Sequence, residues 1–203
     1  VTGDLSSSSD LSTFAVTVYL AASRSVPQKY FDLAHAVGAA IAEEKWLLVY
    51  GGNDVGPMGA LANGARSRGG KVIGITPHCF NDGGLADKQC HELIFVQNMR
   101  ERKMLLETRG HAFVALPGGI GTLEEFFEIL VGRLLKFHDK PILLVNLDGF
   151  WDPMLEMLRR YEAEGFVRPS TFAQFDVVGS VEEAMVRLRQ LLPCQARAAA
   201  EPI

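Results

Sequence analysis

The chain has 203 residues, 48% of them hydrophobic and 22% charged, the composition of an ordinary globular protein built around one core. Its formal net charge of −4 argues against a general nucleic-acid binder, which needs a basic excess to displace counterions. The apolar runs are short and interrupted, none near the roughly 20 residues that cross a bilayer, so neither nucleic acid nor a membrane is an expected partner.

The opening Val1 to Asp10 is Ser-rich and polar. The expectation is a disordered lead over 1–11 with no secretory leader. From Ser12 onward, short apolar or β-branched runs alternate with amphipathic stretches, the pattern of βαβ units. In chain order it predicts a strand over Phe14–Leu20, a helix over Gln28–Glu44, a strand over Leu47–Tyr50, a helix over Met58–Ser67 and a strand over Lys71–Thr76. There follow a strand over Glu92–Val96, a helix over Met99–Thr108, a strand over Ala112–Leu116 and a helix over Thr122–Lys136. A strand over Ile142–Asn146, a helix over Asp152–Glu164, a strand over Phe175–Val178 and a helix over Val181–Leu191 complete the series. Most strands lack apolar–polar alternation, which suits strands covered on both faces. The expected class is therefore α/β, a mainly parallel sheet with helices on both faces. In the helix over Thr122–Lys136, Leu123, Phe126, Phe127, Leu130, Val131 and Leu134 recur at helical spacing, which predicts one core-facing stripe. The Ala-rich end, 193–203, is expected to be a flexible tail. Cys79, Cys90 and Cys194 are odd in number and scattered, as reduced thiols are, and a cytoplasmic location is the expectation.

In an open α/β sheet, ligands bind beyond the carboxyl ends of the strands, and two glycine-rich turns fall there. The first is Tyr50-Gly51-Gly52-Asn53-Asp54-Val55-Gly56-Pro57-Met58-Gly59; the second is Leu116-Pro117-Gly118-Gly119-Ile120-Gly121-Thr122-Leu123-Glu124-Glu125. Glycines let backbone N–H groups approach an anion, a helix start adds positive potential, and Thr122 adds a hydroxyl, so a phosphate group is the expected guest. Neither turn is a Walker loop or matches the dinucleotide fingerprint, and either one alone is also compatible with mere tight strand-to-helix geometry.

Glu124, Glu125 and Glu128 would ordinarily complement a helix dipole. Beside a phosphate they would repel it, unless one faces a part of the ligand where positive charge develops. At 100° per residue Glu125 lies away from the Leu123, Phe127 and Leu134 stripe and is free to face a cleft. Met99-Arg100-Glu101-Arg102-Lys103 sets cations at a helix start, where the dipole disfavours them. That is the mark of a site, or else of a solvated basic face.

These motifs in this order resemble the Lonely Guy (LOG) family, cytokinin riboside 5′-monophosphate phosphoribohydrolases often labelled lysine decarboxylases, and the resemblance runs from Val16 to about Leu192. It implies a Rossmann-like, doubly wound fold forming a single nucleotide-binding domain over 12–192, and homodimers with active sites near the subunit boundary. The implied activity is hydrolysis of the bond between an N6-substituted adenine and ribose 5′-monophosphate. Gly118, Gly119, Gly121 and Thr122 would then hold the 5′-phosphate, with Gly52, Met58, Lys103, Ile120, Leu123 and Glu124 also at the nucleotide, while Arg102 and Glu125 carry catalysis. The chemistry fits: a carboxylate stabilises an oxocarbenium-like sugar and orients or deprotonates water, and a guanidinium stabilises either the departing purine or the phosphoribosyl group. No metal and no other cofactor is implied. The sequence departs from the family at Asn53 (usually a third glycine), at Leu20-Ala21-Ala22-Ser23 (commonly Cys-Gly-Ser-Ser), at Arg100 (usually His) and at Gly84, where a carboxylate is often found.

His78-Cys79 and Cys90-His91 match no common zinc spacing, and nothing identifies a pyridoxal-binding lysine. His35, His111 and His138 fall in or beside predicted elements and are expected to be structural. Two other readings remain open: a nucleotide-binding carrier without turnover, and a broader AMP nucleosidase.

Overall fold

The structure, a computed structural model, describes residues 14–191; the expectations for 1–11 and 193–203 lie outside the described residues. Seven short apolar runs form the strands β1 (Ala15–Tyr19), β2 (Leu47–Tyr50), β3 (Val72–Pro77), β4 (Glu92–Val96), β5 (Ala112–Ala115), β6 (Ile142–Val145) and β7 (Asp176–Val178). All pair in parallel, in the order β4-β3-β2-β1-β5-β6-β7. The chain winds outward from β1 to β4 and then returns to the other side of β1 to lay down β5. The switch point, where a doubly wound sheet opens a crevice, is therefore between the carboxyl ends of β1 and β5.

Successive residues of a strand face opposite sides, and β1 divides cleanly. Val16, Val18 and Leu20 enter one core cluster with α1 (Gln28–Glu43), α2 (Gly56–Ser67) and α7 (Val181–Leu191). Ala15 and Tyr19 enter the other with α4 (Met99–Arg109), α5 (Ile120–Leu134) and α6 (Asp152–Ala163). A short α3 (His78–Asp82) and 3-10 turns at Leu147–Gly149 and Pro169–Gln174 complete the described fold. All three are too brief to carry a periodicity, and the sequence pattern does not show them. Among the described residues no helix is long and apolar enough to cross a membrane.

α5 departs from its expected stripe. Its buried residues are Thr122, Glu125, Phe126, Ile129 and Leu130, whereas Val131 is 49% exposed and Leu134 37%. The helix also starts at Ile120 rather than Thr122, because Gly119 is the extended residue at its N-cap. The side facing the sheet thus carries two polar residues at its N-terminal end, and part of the apolar stripe is left uncovered.

α1 and α2 cross with their backbones almost touching. A Cβ at Gly38 would lie 2.0 Å from the Leu61 carbonyl oxygen, and one at Gly64 would lie 2.0 Å from that of His35. Because the obstruction is backbone, relief requires the helices to separate. Gly38→Ala is expected to destabilise the fold by about 2–3 kcal/mol, read as a lower urea midpoint with an unchanged slope.

Candidate active site

The turn after β5 becomes a helix start through two glycines. A Cβ on Gly118 would meet Thr122 Oγ1 at 2.1 Å, so only glycine lets the buried Thr122 fold back beneath the loop. Gly119 caps α5 with no side chain, and Gly119, Ile120 and Gly121 are exposed. Among the described residues the N–H groups of Ile120, Gly121 and Thr122 make no hydrogen bond, the first one used being Leu123 N–H to the Gly119 carbonyl. Three unspent donors at a positive helix end form an anion cradle. α4 differs: Asn98 Oδ1 accepts from Glu101 N–H, and Glu101 reaches back to accept from Gln97 N–H. The carboxylate of Glu101 also offsets the cations at that helix start.

Arg102 points inward from α4 and is only 4% exposed. Its Nε donates to the Ile75 carbonyl at the top of β3 (3.0 Å), and its Nη2 donates to the Gly51 carbonyl beyond β2 (2.8 Å). A Cβ on Gly51 would lie 2.0 Å from Nη2, so this glycine is what allows the guanidinium to rest on the loop. The remaining edge, Nη1, stands 3.8 Å from Glu125 Oε1. Glu125, 7% exposed, comes from the second turn of α5 and makes no hydrogen bond among the described residues. Burial pushes its carboxyl up to about 7, against the pull of Arg102. The Arg102 guanidinium is drawn below its usual range by its own burial.

Glu124 and Glu128 lie on the outer flank of α5, and Lys103 pairs with both, at 2.8 and 3.1 Å. Two of the three carboxylates that would repel a phosphate are thus held by one lysine. Neither Glu124 nor Glu125 is in the first turn of α5, so dipole complementation does not account for them. Leu123 packs against the core on the α4–α6 side. Met58 is buried, its Cε beside Gly51, and Gly52 turns the chain with a φ of 70°.

A second buried network, absent from the expected site residues, secures the first glycine turn. Asp87, fully buried, accepts from Tyr50 Oη (2.7 Å), Arg66 Nη1 (2.7 Å) and Gln89 N–H (3.0 Å). Burial alone would raise its carboxyl, but the bonds from Arg66 and Tyr50 hold it below the usual range. The Asp87 N–H donates to the Gly52 carbonyl and the Asp54 N–H to the Leu85 carbonyl, clamping the loop before β4 onto the Gly51–Asp54 turn. Cys90 lies against Tyr50 (3.7 Å), His91 Nδ1 accepts from Val72 N–H, and His78 stacks on Phe95. These three positions serve local packing while Cys79 is exposed, and no three His, Cys, Asp or Glu side chains gather as a metal-ligand set among the described residues.

A doubly wound parallel sheet with two glycine-rich turns and a buried arginine–carboxylate pair beside its switch point defines a Rossmann-like α/β protein, and the carboxyl ends of the strands are where such folds take ligands. Residues 58–188 match the family model described as possible lysine decarboxylase. A cytokinin riboside 5′-monophosphate phosphoribohydrolase from Rhodococcoides fascians is 41% identical over 178 residues, 86% of this chain and 89% of that one. One of the same name from Mycobacterium tuberculosis is 41% identical over 172 residues, 85% and 91% of the two chains. The chain belongs to this lysine-decarboxylase-like family, the Lonely Guy family. The same fold occurs in the molybdenum cofactor binding protein of Rippkaea orientalis (TM-score 0.70, 20% identity, 90% of this chain and 99% of that one). It occurs too in the molybdenum cofactor carrier protein of Chlamydomonas reinhardtii (0.69, 20%, 89% and 98%).

Glu125 holds its proton more tightly folded than unfolded, so the folded state binds more protons between about pH 4.5 and 7 and stability falls as pH rises through that window. Glu125→Gln removes the effect. The variant is expected to gain about 3 kcal/mol relative to the parent between pH 4.5 and 8, measured by urea unfolding at both pH values.

Proposed function

We propose that the protein hydrolyses the N-glycosidic bond of N6-substituted adenosine 5′-monophosphates, releasing the free base and ribose 5-phosphate. The observation that carries this reading is Glu125: a buried carboxyl with a pKa near neutrality, 3.8 Å from a fixed guanidinium and on the same helix as the unspent N–H cradle. The names of the relatives at 41% identity support the same reaction and substrate class.

In this reading the 5′-phosphate accepts from the N–H groups at Gly119, Ile120, Gly121 and Thr122, with Gly118 keeping the approach open. Gly52, Met58, Lys103, Leu123 and Glu124 flank the nucleotide. As the C1′–N bond breaks, its electron pair leaves with the purine, which takes up a proton from solvent to become the free base, and the sugar gains oxocarbenium character. The Glu125 carboxylate stabilises that charge and takes a proton from the water whose oxygen bonds to C1′. Arg102, with Nε and Nη2 committed to carbonyls, keeps only its Nη1 edge for the site, where it favours the ionised form of Glu125. The whole sheet acts as one nucleotide-binding domain, in the cytoplasm, with no metal or other cofactor required by this chemistry.

The carrier reading draws on the folds of the molybdenum cofactor proteins. A pure carrier has no use for a buried carboxyl poised near neutral pH, and this favours turnover. Incubation with N6-isopentenyl-AMP and with AMP distinguishes the readings: free base and ribose 5-phosphate from the first substrate are expected, binding without product would support a carrier, and equal rates on both would indicate a general AMP nucleosidase. The kcat/KM profile, which reports the nucleotide-free enzyme, should rise tenfold per pH unit up to an apparent pKa of about 7 and then level off. Glu125→Gln should cost on the order of 10³-fold in kcat with nucleotide affinity within a few-fold, whereas Arg102→Ala should lower both kcat and affinity.

The protein is also proposed to be a homodimer through the outer faces of α5 and α6. Val131, Leu134, Leu135, Met157, Tyr161 and Phe166 are exposed there, around a groove of about 780 Å³, a contiguous apolar face of the kind that marks protein–protein contacts. Val131→Glu combined with Leu135→Glu is expected to give a monomer with unchanged circular dichroism in sedimentation velocity. A parent protein that sediments as a monomer would remove this part of the reading.

A further inference from the structure

β1 ends on Tyr19, at the switch point and beside β5, where Tyr19 is registered with Ala115. Its side chain stands in the layer of α4 and α5, 3% exposed, with its ring stacked on Phe113 at 6.0 Å. Arg102 spans the tops of β3 and β2 on that same face, and Glu125 is buried on α5, the helix that packs against β1. In the strand order β3-β2-β1-β5, Tyr19 thus stands on the strand next to the two on which Arg102 rests, and the charges of both Glu125 and Arg102 reach its phenol.

All three groups have hydrogen-bonding capacity left over. Arg102 Nη1 has only the Met99 sulfur at 4.0 Å and Glu125 at 3.8 Å. Glu125 and the Tyr19 hydroxyl have no hydrogen bond among the described residues. Among the described residues the sealed side-chain polar atoms without partners are His138 Nδ1 and Trp151 Nε1. The Tyr19 oxygen is not one of them, so it opens on space rather than on packed atoms. A phenol offers one donor and a carboxylate only acceptors, and one water fits the role of intermediary.

We propose that Tyr19 is a positioning residue of this site, its hydroxyl donating to the water or carboxylate at Glu125 and fixing the direction from which the water reaches the sugar. The inference rests on the hydrolase reading. The charged groups facing Glu125 are Arg102 and Lys103 from α4 and Glu124 and Glu128 from its own helix; Tyr19 is the contribution of β1. The phenol stays protonated throughout, because burial first and the Glu125 charge second hold its pKa well above the ordinary value. It is thus a donor at every working pH.

Tyr19→Phe keeps the ring and its packing and removes only the hydroxyl. The variant is expected to lose about 10- to 100-fold in kcat with KM within about twofold, and to move the acid limb of the kcat profile upward by about half a pH unit or more. Its melting temperature should stay within about 2 °C of the parent, since no partner is left unpaired. The Glu125 carboxyl titration, followed by 13C NMR without nucleotide and assigned with Glu125→Gln, should shift in the same direction. An unmoved titration overturns the proposal, as does a kcat loss that comes with a fallen melting temperature and an unmoved limb. A parent protein that releases no base sinks the hydrolase reading, while the nucleotide-free titration still decides the role of Tyr19.

Discussion

The burial of one arginine governs the geometry of this site. A guanidinium removed from water is tolerable only where its donors find fixed acceptors, and Arg102 finds them in two backbone carbonyls supplied by neighbouring strands, at Ile75 and Gly51. Those carbonyls sit at the carboxyl ends of β3 and β2 because the sheet is parallel, so the position of the charge is set by the sheet rather than by a flexible side chain. Glu125 is then buried beside a cation that satisfies it only in part, at 3.8 Å. Burial raises its proton affinity to near neutrality, and this partial pairing does not bring it back to the ordinary carboxylate range. A direct bidentate pair would have held it ionised far below that.

The rest of the carboxyl edge keeps this arrangement still. Asp87 ties Tyr50, Arg66 and the loop before β4 to the first glycine turn, which is the turn on which Arg102 rests. Its buried bonds replace the water that a loop would otherwise require. Lys103 neutralises the outer carboxylates of α5, so the field at the cradle is shaped by the helix start and by Arg102 rather than by three like charges.

α5 reconciles two demands along a single helix. Its first two turns turn Thr122 and Glu125 inward to the site, and its later turns bury Phe126, Ile129 and Leu130 against the sheet. Apolar residues remain for a further flank, and they stay exposed next to α6. A stripe wider than one face needs is how a helix serves both a core and an outer surface.

Every strand and every long helix was legible in the amino-acid order, because parallel strands read as unbroken apolar runs and their covering helices as amphipathic ones. The two glycine turns and the basic start of α4 could be singled out in the sequence, whereas Glu125 read there only as free to face a cleft, because the apolar stripe expected of α5 is not the side that the helix buries. What only the tertiary structure decided are relations between elements distant in the chain: the carbonyls that hold Arg102, the need for Gly51 rather than Gly52 beneath it, the service of Asp87 as a clamp, the rotation of α5 and the place of Tyr19. Local propensity registers which residues a helix or strand prefers. It carries no record of which backbone oxygen, fifty residues away, a buried charge will meet.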